Sequence, residues 1–263
     1  MRNQCYYLIL AFLLSPLFTF SQNVDKGPIY VFTYMKSTPG QTQDYINCET
    51  KVWKKIHQEL KKKGEINDWS FWQVVSPIGS EVGYDFVLVK VLPDWKGIEE
   101  SPDYTSVFNK MDWSREEREL FAKTSTLRTI VKSETYLYEG GVENGREDRA
   151  NFAALNYMKT PPGGNNNYFE MELKYFKPWF TVVVQNKKRE GWCMLSLQFP
   201  WGEEVGYNGI TIDYFNNLNQ KFIDLDKDWE ELHWMEDLSE VVDEMDSRRT
   251  LVKGMLMKRI DKL

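Results

Sequence analysis

Between residues 29 and 92 the chain alternates two kinds of apolar period. Residues 29–36 are rich in β-branched and aromatic side chains with alternation, which predicts a strand. Pro39-Gly40 then turns the chain. Over 41–63 the apolar positions Tyr45, Cys48, Val52, Ile56 and Leu60 recur at steps of three and four, the stripe of an amphipathic helix lying on a sheet, and Gly64 ends it. Residues 68–76 and 84–92 return to the strand period across a loop of Gly and Pro. Ser114 followed by Glu117 predicts a capping box, with Trp113 placed as a staple, so a second helix starts there. Residues 130–138 close the series as a strand, giving β-α-β-β-α-β.

The same series is written twice. Tyr34-Met35-Lys36 with Pro39-Gly40 recurs as Tyr157-Met158-Lys159 with Pro162-Gly163, at an offset of 123. That offset also carries Trp69 onto Trp192 and Glu81-Val82-Gly83-Tyr84 onto Glu204-Val205-Gly206-Tyr207. Near the end it becomes 121, where Arg128-Thr129 meets Arg249-Thr250 and Val131-Lys132 meets Val252-Lys253. Colinearity of this extent reads as duplication. The organisation expected is a repeat over 22–139, a Gly-rich polar linker over 140–149 and a repeat over 150–263. Pro178 falls inside the second copy's first helix and should kink it near 174–178.

The order β-α-β-β-α-β is the split β-α-β, or ferredoxin-like, unit. A sheet with helices on one face leaves its other face bare, and two copies can bury those faces together. The fold class expected is therefore α+β: two tandem ferredoxin-like repeats packed sheet to sheet as an intramolecular pseudo-dimeric barrel, a monomer with an internal pseudo-two-fold. In element order, in the strand–Pro-Gly–helix opening and in the duplication, residues 28–263 resemble the dimeric α+β-barrel superfamily, with its NIPSNAP-like, EthD-like and antibiotic-biosynthesis-monooxygenase-like domains. The stretch 52–58 also resembles a helix of uncharacterised exported proteins of this type.

Residues 1–21 change the expected compartment. Arg2 precedes an apolar run from Tyr6 to Phe20, and Thr19-Phe20-Ser21 offers a cleavage site before Gln22, the pattern of a secretory signal peptide. The run is short for a membrane span of about 20 residues, so an exported, periplasmic or extracellular protein without a stable anchor is expected. Cys48 and Cys193 would remain, read as two buried thiols, with a disulfide as the alternative that export permits. The net charge of −6 at pH 7 lacks the basic footprint of a nucleic-acid binder. Two His and three Cys leave little for a metal centre, and none is expected. Asp224, Asp226 and Asp228 fail as a calcium loop, because Trp229 and Met235 stand where Gly and Glu are needed.

Alternation on the strands assigns two faces. The set Trp72, Val74, Val87, Val89, Val91, Cys193, Leu195, Leu197, Ile210, Ile212 and Tyr214 is the more apolar and is expected against the helices. The opposite set is expected between the sheets: Thr33, Trp69, Phe71, Gln73, Tyr84, Phe86, Leu88 and Lys90, with Asn156, Trp192, Met194, Ser196, Tyr207, Gly209, Thr211 and Asp213. The function expected is that of a small-ligand-binding or scaffold protein, its pocket taking a small aromatic or amphipathic molecule, with Asn156, Trp192, Ser196, Thr211, Asp213, Lys90, Trp69 and Gln73 as ligand-binding candidates. Lys90 and Asp213 occupy equivalent positions and should each find an opposite charge, or one another.

A second function follows from the resemblance. Haem-degrading and cofactor-independent monooxygenases of the superfamily use an Asn on the first strand, a Trp ending the third and a His on the second helix. The resemblance implies Asn156 and His233 as catalytic candidates and haem as a possible cofactor, with Tyr214 standing in place of the Trp. His57, on the first helix beside Trp53, is a further candidate, as are Glu81 and Glu204 in the repeated loop, although Pro and Gly there are also simple hairpin chemistry.

Overall fold

The computed structural model describes residues 27–77, 83–142, 147–232 and 235–263. The segment expected as a signal peptide, Glu81 and His233 lie outside them. The first half runs β1 (Ile29–Ser37), α1 (42–62), β2 (Asp68–Ser76), β3 (Phe86–Leu92), α2 (Lys96–Glu99), α3 (Tyr104–Asn109), α4 (Arg115–Leu127) and β4 (Arg128–Val142). The second runs β5 (Phe152–Lys159), α5 (165–185), β6 (Gly191–Phe199), β7 (Gly209–Phe215), α6 (Asp226–Glu230), α7 (Leu238–Arg248) and β8 (Thr250–Lys262). The capping box at Ser114 forms as expected: Ser114 Oγ accepts from the Glu117 amide at 3.2 Å, and Glu117 Oε2 accepts from the Ser114 amide at 2.8 Å.

All eight strands belong to one closed barrel in the order β1-β3-β2-β8-β5-β7-β6-β4, every neighbouring pair antiparallel. Each half contributes four consecutive strands, and the seams are edge pairings, β2 with β8 and β4 with β6. Closure removes every unpaired edge. The β4–β6 seam corrects the expected linker. Gly140, Gly141 and Val142 are strand, opposite Met194, Cys193 and Trp192. A Cβ on Gly141 would lie 2.6 Å from the Trp192 carbonyl oxygen, so glycine is what the close approach needs there.

The helix expected over 41–63 is continuous but changes pitch, with a π turn at Glu49–Trp53 between Thr42–Cys48 and Lys54–Lys62. The second half has its π turn at Glu172–Phe176, the equivalent place. Pro178 is therefore not the cause. It lies just beyond the turn, in the first turn of Lys177–Gln185, where a missing N–H is tolerated. Both π turns bury a glutamate, Glu49 and Glu172, 1% and 3% exposed. Burial pushes each carboxyl up to about 7, with Arg128 and Arg249 offsetting this in part.

Three apolar clusters result. One fills the barrel, with Phe32, Tyr34, Trp72, Val87, Val89, Leu155, Tyr157, Cys193, Leu195, Ile210 and Ile212 among its members. The others are helix–sheet layers: Trp69, Phe71 and Phe86 under α1, and Trp192 and Met194 under α5. Along β2, β3, β6 and β7 the faces are thus the reverse of the sequence expectation, whereas Tyr84 and Tyr207, just before β3 and β7, lie inside as expected. Both faces of a closed barrel are buried, so the greater apolarity of one set no longer marks the helix side. The widest rings lie in the broad helix layers, where Tyr45 packs edge-on to Phe71 and Phe86 at 5.6 and 5.2 Å. Cys48 is buried in a helix layer and Cys193 in the barrel, and no disulfide joins them.

Candidate functional site

The barrel interior has two ends of different chemistry. At the end where β1 finishes and β4 begins, Tyr34 and Tyr157 meet hydroxyl to hydroxyl at 3.0 Å. They stand 123 positions apart, the offset at which the sequence pattern recurs. Each has the ring of another equivalent pair edge-on at 4.8 Å, Tyr84 beside Tyr34 and Tyr207 beside Tyr157. A register shift interrupts β4 between Met35 and Tyr34 of its partner strand, and β8 between Met158 and Tyr157. Bulges of this kind re-aim side chains at barrel rims. Here they flank Lys132 and Lys253, whose ammonium groups stand over these rings, Lys132 at 4.3 Å from the Tyr34 centroid and Lys253 at 5.2 Å from that of Tyr157.

One difference breaks the symmetry. Glu134, 2% exposed, has Met255 as its counterpart. Its carboxylate accepts from Tyr34 at 2.7 Å, Tyr136 at 2.8 Å, Lys132 at 2.5 Å and the Tyr207 hydroxyl. Burial alone would raise its pKa, but Lys132 and the hydroxyls hold it below the usual carboxylate value. On the other side Tyr84 donates to Met255 Sδ at 3.6 Å and accepts from Lys253 at 2.9 Å. This end is a filled polar plug.

The opposite end is open. A cavity of about 290 Å³ enters the barrel between Tyr30, Phe32, Trp72, Tyr214 and Met257. Trp72 donates its indole N–H to Ser70 Oγ at 2.7 Å, which fixes the ring plane, and Tyr214 tilts against it at 6.5 Å. The Arg259 guanidinium lies 5.4 Å from the Trp72 centroid and donates to the Asp148 carbonyl at 2.8 Å. The rim charges are matched: Asp148 pairs with Lys262 at 2.6 Å and Asp68 with Lys61 at 3.1 Å. The cavity is thus an aromatic slot with one cation on its wall.

A pocket between the sheets was expected, but from other residues. Trp69 stacks on His57 at 5.3 Å and Trp192 on Phe180 at 5.3 Å, both in the helix layers. Asn156 donates to Asp213 at 2.9 Å and to Thr211 at 3.3 Å, on the α5 side. Burial raises the Asp213 carboxyl, and Arg189 and Lys221 oppose the rise. Ser196 bonds the Glu139 carboxylate, and Gln73 is exposed. Lys90 donates to Tyr104 at 3.1 Å in the first helix layer. Lys90 and Asp213 therefore do not converge, and none of the eight binding candidates lines the cavity. His57 is 6% exposed with Nδ1 at 2.8 Å from the Trp53 carbonyl, and burial depresses its pKa to about 4. It is a packing residue of the α1 layer. Glu204 is exposed, and Asp228 is buried against Lys188 at 2.6 Å.

No family model matches the chain, and no curated protein matches it. Solved structures do. A candidate monooxygenase from Lactobacillus acidophilus NCFM aligns with 90% of this chain and 96% of its own, at 11% identity and a TM-score of 0.55. Another, from Fusobacterium nucleatum subsp. nucleatum, aligns with 90% and 94%, at 6% identity and a TM-score of 0.57. The chain has the fold of the dimeric α+β barrels. At these identities the likeness concerns the fold alone. The slot does not suit the haem that the resemblance implied: its lining contains no histidine or cysteine, and about 290 Å³ is small for a porphyrin. Asn156 lies outside the slot, on the α5 side, and His233 lies outside the described residues.

Proposed function

We propose that this barrel is an exported small-molecule binding protein that takes a planar, largely apolar aromatic ligand into the cavity beside Trp72. The carrying observation is the aromatic slot itself, five large side chains around about 290 Å³ with Arg259 over one wall. That volume lies at the small end of ligand cavities, which run to roughly 1,000 Å³, so one or two fused rings suit it. Stacking on Trp72 and Tyr214 supplies the affinity. The paired rim charges disfavour a highly charged ligand, while Arg259 can donate a hydrogen bond to one hydroxyl or carbonyl oxygen. The sequence pattern of residues 1–21 supports export, and the offsets of 123 and 121 support origin by duplication of a ferredoxin-like unit.

Calorimetric titration with 2-naphthol tests the slot. The expected result is saturable binding that Trp72→Ala weakens at least tenfold, about 1.4 kcal/mol. Equal binding by that variant would remove the assignment. Native mass spectrometry of protein taken from its own cell envelope should show a retained aromatic compound. The same spectrum should give a chain starting at Gln22, whereas a mass that includes Met1 would contradict export by cleavage.

A further inference from the structure

A second pocket, separate from the aromatic slot, lies outside the barrel where β5 meets α7 and β8. It measures about 250 Å³ and is lined by Lys159, Thr160, Pro161, Pro162, Asp246, Ser247, Arg249 and Thr250. Comparison of the two halves shows what is unusual about it. In the first half Lys36 pairs with Asp85 at 2.7 Å, and the Asp85 carboxylate also accepts from the Ser37 amide at 3.2 Å and from Ser37 Oγ at 2.9 Å. The equivalent of Asp85 is Asn208. Asn208 Oδ1 accepts from the Thr160 amide at 3.0 Å, as Asp85 accepts from Ser37, while its Nδ2 donates to Thr160 Oγ1 at 2.6 Å and Asn165 Oδ1 at 2.8 Å. The charge is gone, and Lys159, the equivalent of Lys36, has no ion-pair partner among the described residues.

Arg249 provides a second cation in the same wall. Its Nε is buried without a hydrogen-bond partner. Its nearest carboxylates stand off, Glu172 at 4.0 Å and the exposed Asp246 at 3.8 Å. By contrast, Lys54–Asp261 and Lys36–Asp85 close at 2.6 and 2.7 Å. Ser247 and Thr250 add hydroxyls to the same lining. A guanidinium and an ammonium contributed to one pocket lining by two elements, with hydroxyls in the same lining, suit a tetrahedral oxyanion better than a planar carboxylate, because donors can reach it from several sides.

We infer that the pocket lined by Lys159 and Arg249 binds a phosphate group, a site left open in the second half because the neutral Asn208 stands at the place corresponding to Asp85. Asp246 is the movable acid at the rim, and its exposed side chain swings outward when the anion enters. Lys159 supplies the long-range attraction and Arg249 the directional hydrogen bonds. The first half has no such site, because Asp85 already occupies its lysine.

Inorganic phosphate is the probe, followed by ³¹P line broadening and by thermal shift against chloride of equal ionic strength. Phosphate should broaden and raise the melting temperature, whereas chloride and acetate should not. N208D, which restores the missing carboxylate on an existing hydrogen-bonded scaffold, should weaken phosphate binding at least tenfold. K159M, at an exposed position, should do the same with an unchanged melting temperature in the absence of phosphate. The inference is overturned if chloride reproduces the phosphate effect, or if both folded variants bind phosphate as the parent does.

Discussion

Glu134→Leu should destabilise the protein by about 3–5 kcal/mol, the usual cost of removing one member of a buried charged pair. The carboxylate is the common acceptor for Tyr34, Tyr136, Tyr207 and Lys132. Tyr34 and Tyr136 are fully buried, so their hydroxyls cannot turn to water. Each unsatisfied buried donor costs about 1–3 kcal/mol. Lys132, with its side chain 34% exposed, can reach solvent and softens the loss. For a domain of this length, about 2–4 °C of melting temperature follows each kcal/mol, so a fall of about 6–20 °C is expected. Urea denaturation at neutral pH measures it. A loss below about 1 kcal/mol would show that the plug is not held by its carboxylate.

Stability should be greater near pH 5 than near pH 8, the reverse of what paired carboxylates produce. Glu49 and Glu172 sit at about 7 in the folded chain, raised by burial from an ordinary 4.5. Between these values the folded state holds protons that the unfolded state has released. Stability therefore falls as pH rises through that window, being fully present below about 4.5 and gone above about 7. Each glutamate contributes on the order of 3 kcal/mol, from about 1.4 kcal/mol per pH unit. Asp213, also raised by burial, acts in the same direction. His57 acts against them: its pKa is lowered from 6.5 to about 4, so its contribution is lost as pH falls through that range. Between pH 5 and 8 the two glutamates outweigh one histidine. Melting temperature measured from pH 5 to pH 8 should decline, and the double variant Glu49→Gln with Glu172→Gln should flatten the profile. A parent profile that rises with pH would contradict the assignment.

The sequence by itself determined the elements and their repetition. Periods of two and of three to four, the Pro-Gly openings and the Ser114 capping box are local properties, and local rules read them correctly. Both Pro-Gly turns place their glycine in the left-handed region, φ 78° at Gly40 and 76° at Gly163. The meeting of Tyr34 with Tyr157 was not anticipated, and the pair that was expected to meet, Lys90 and Asp213, does not. Only the tertiary structure decided which strand face is which. In an open sheet the apolar face turns to the helices, but edge pairing of β2 with β8 and β4 with β6 closes a barrel whose inside is itself a core. Both faces are then dry, and apolarity no longer separates them. The same closure hid the polar plug. Lys132, Glu134, Tyr136 and Tyr138 alternate along β4 like a solvated face, and they become interior because their partners arrive from strands more than 70 residues away, as Tyr207 does for Glu134. The candidate site was legible as a place, between two sheets, and not as a set of residues. Its members Tyr30, Trp72, Tyr214 and Arg259 come from four strands in two halves, and register across the seams brings them together. Long-range pairing, which sequence periodicity does not encode, set that register.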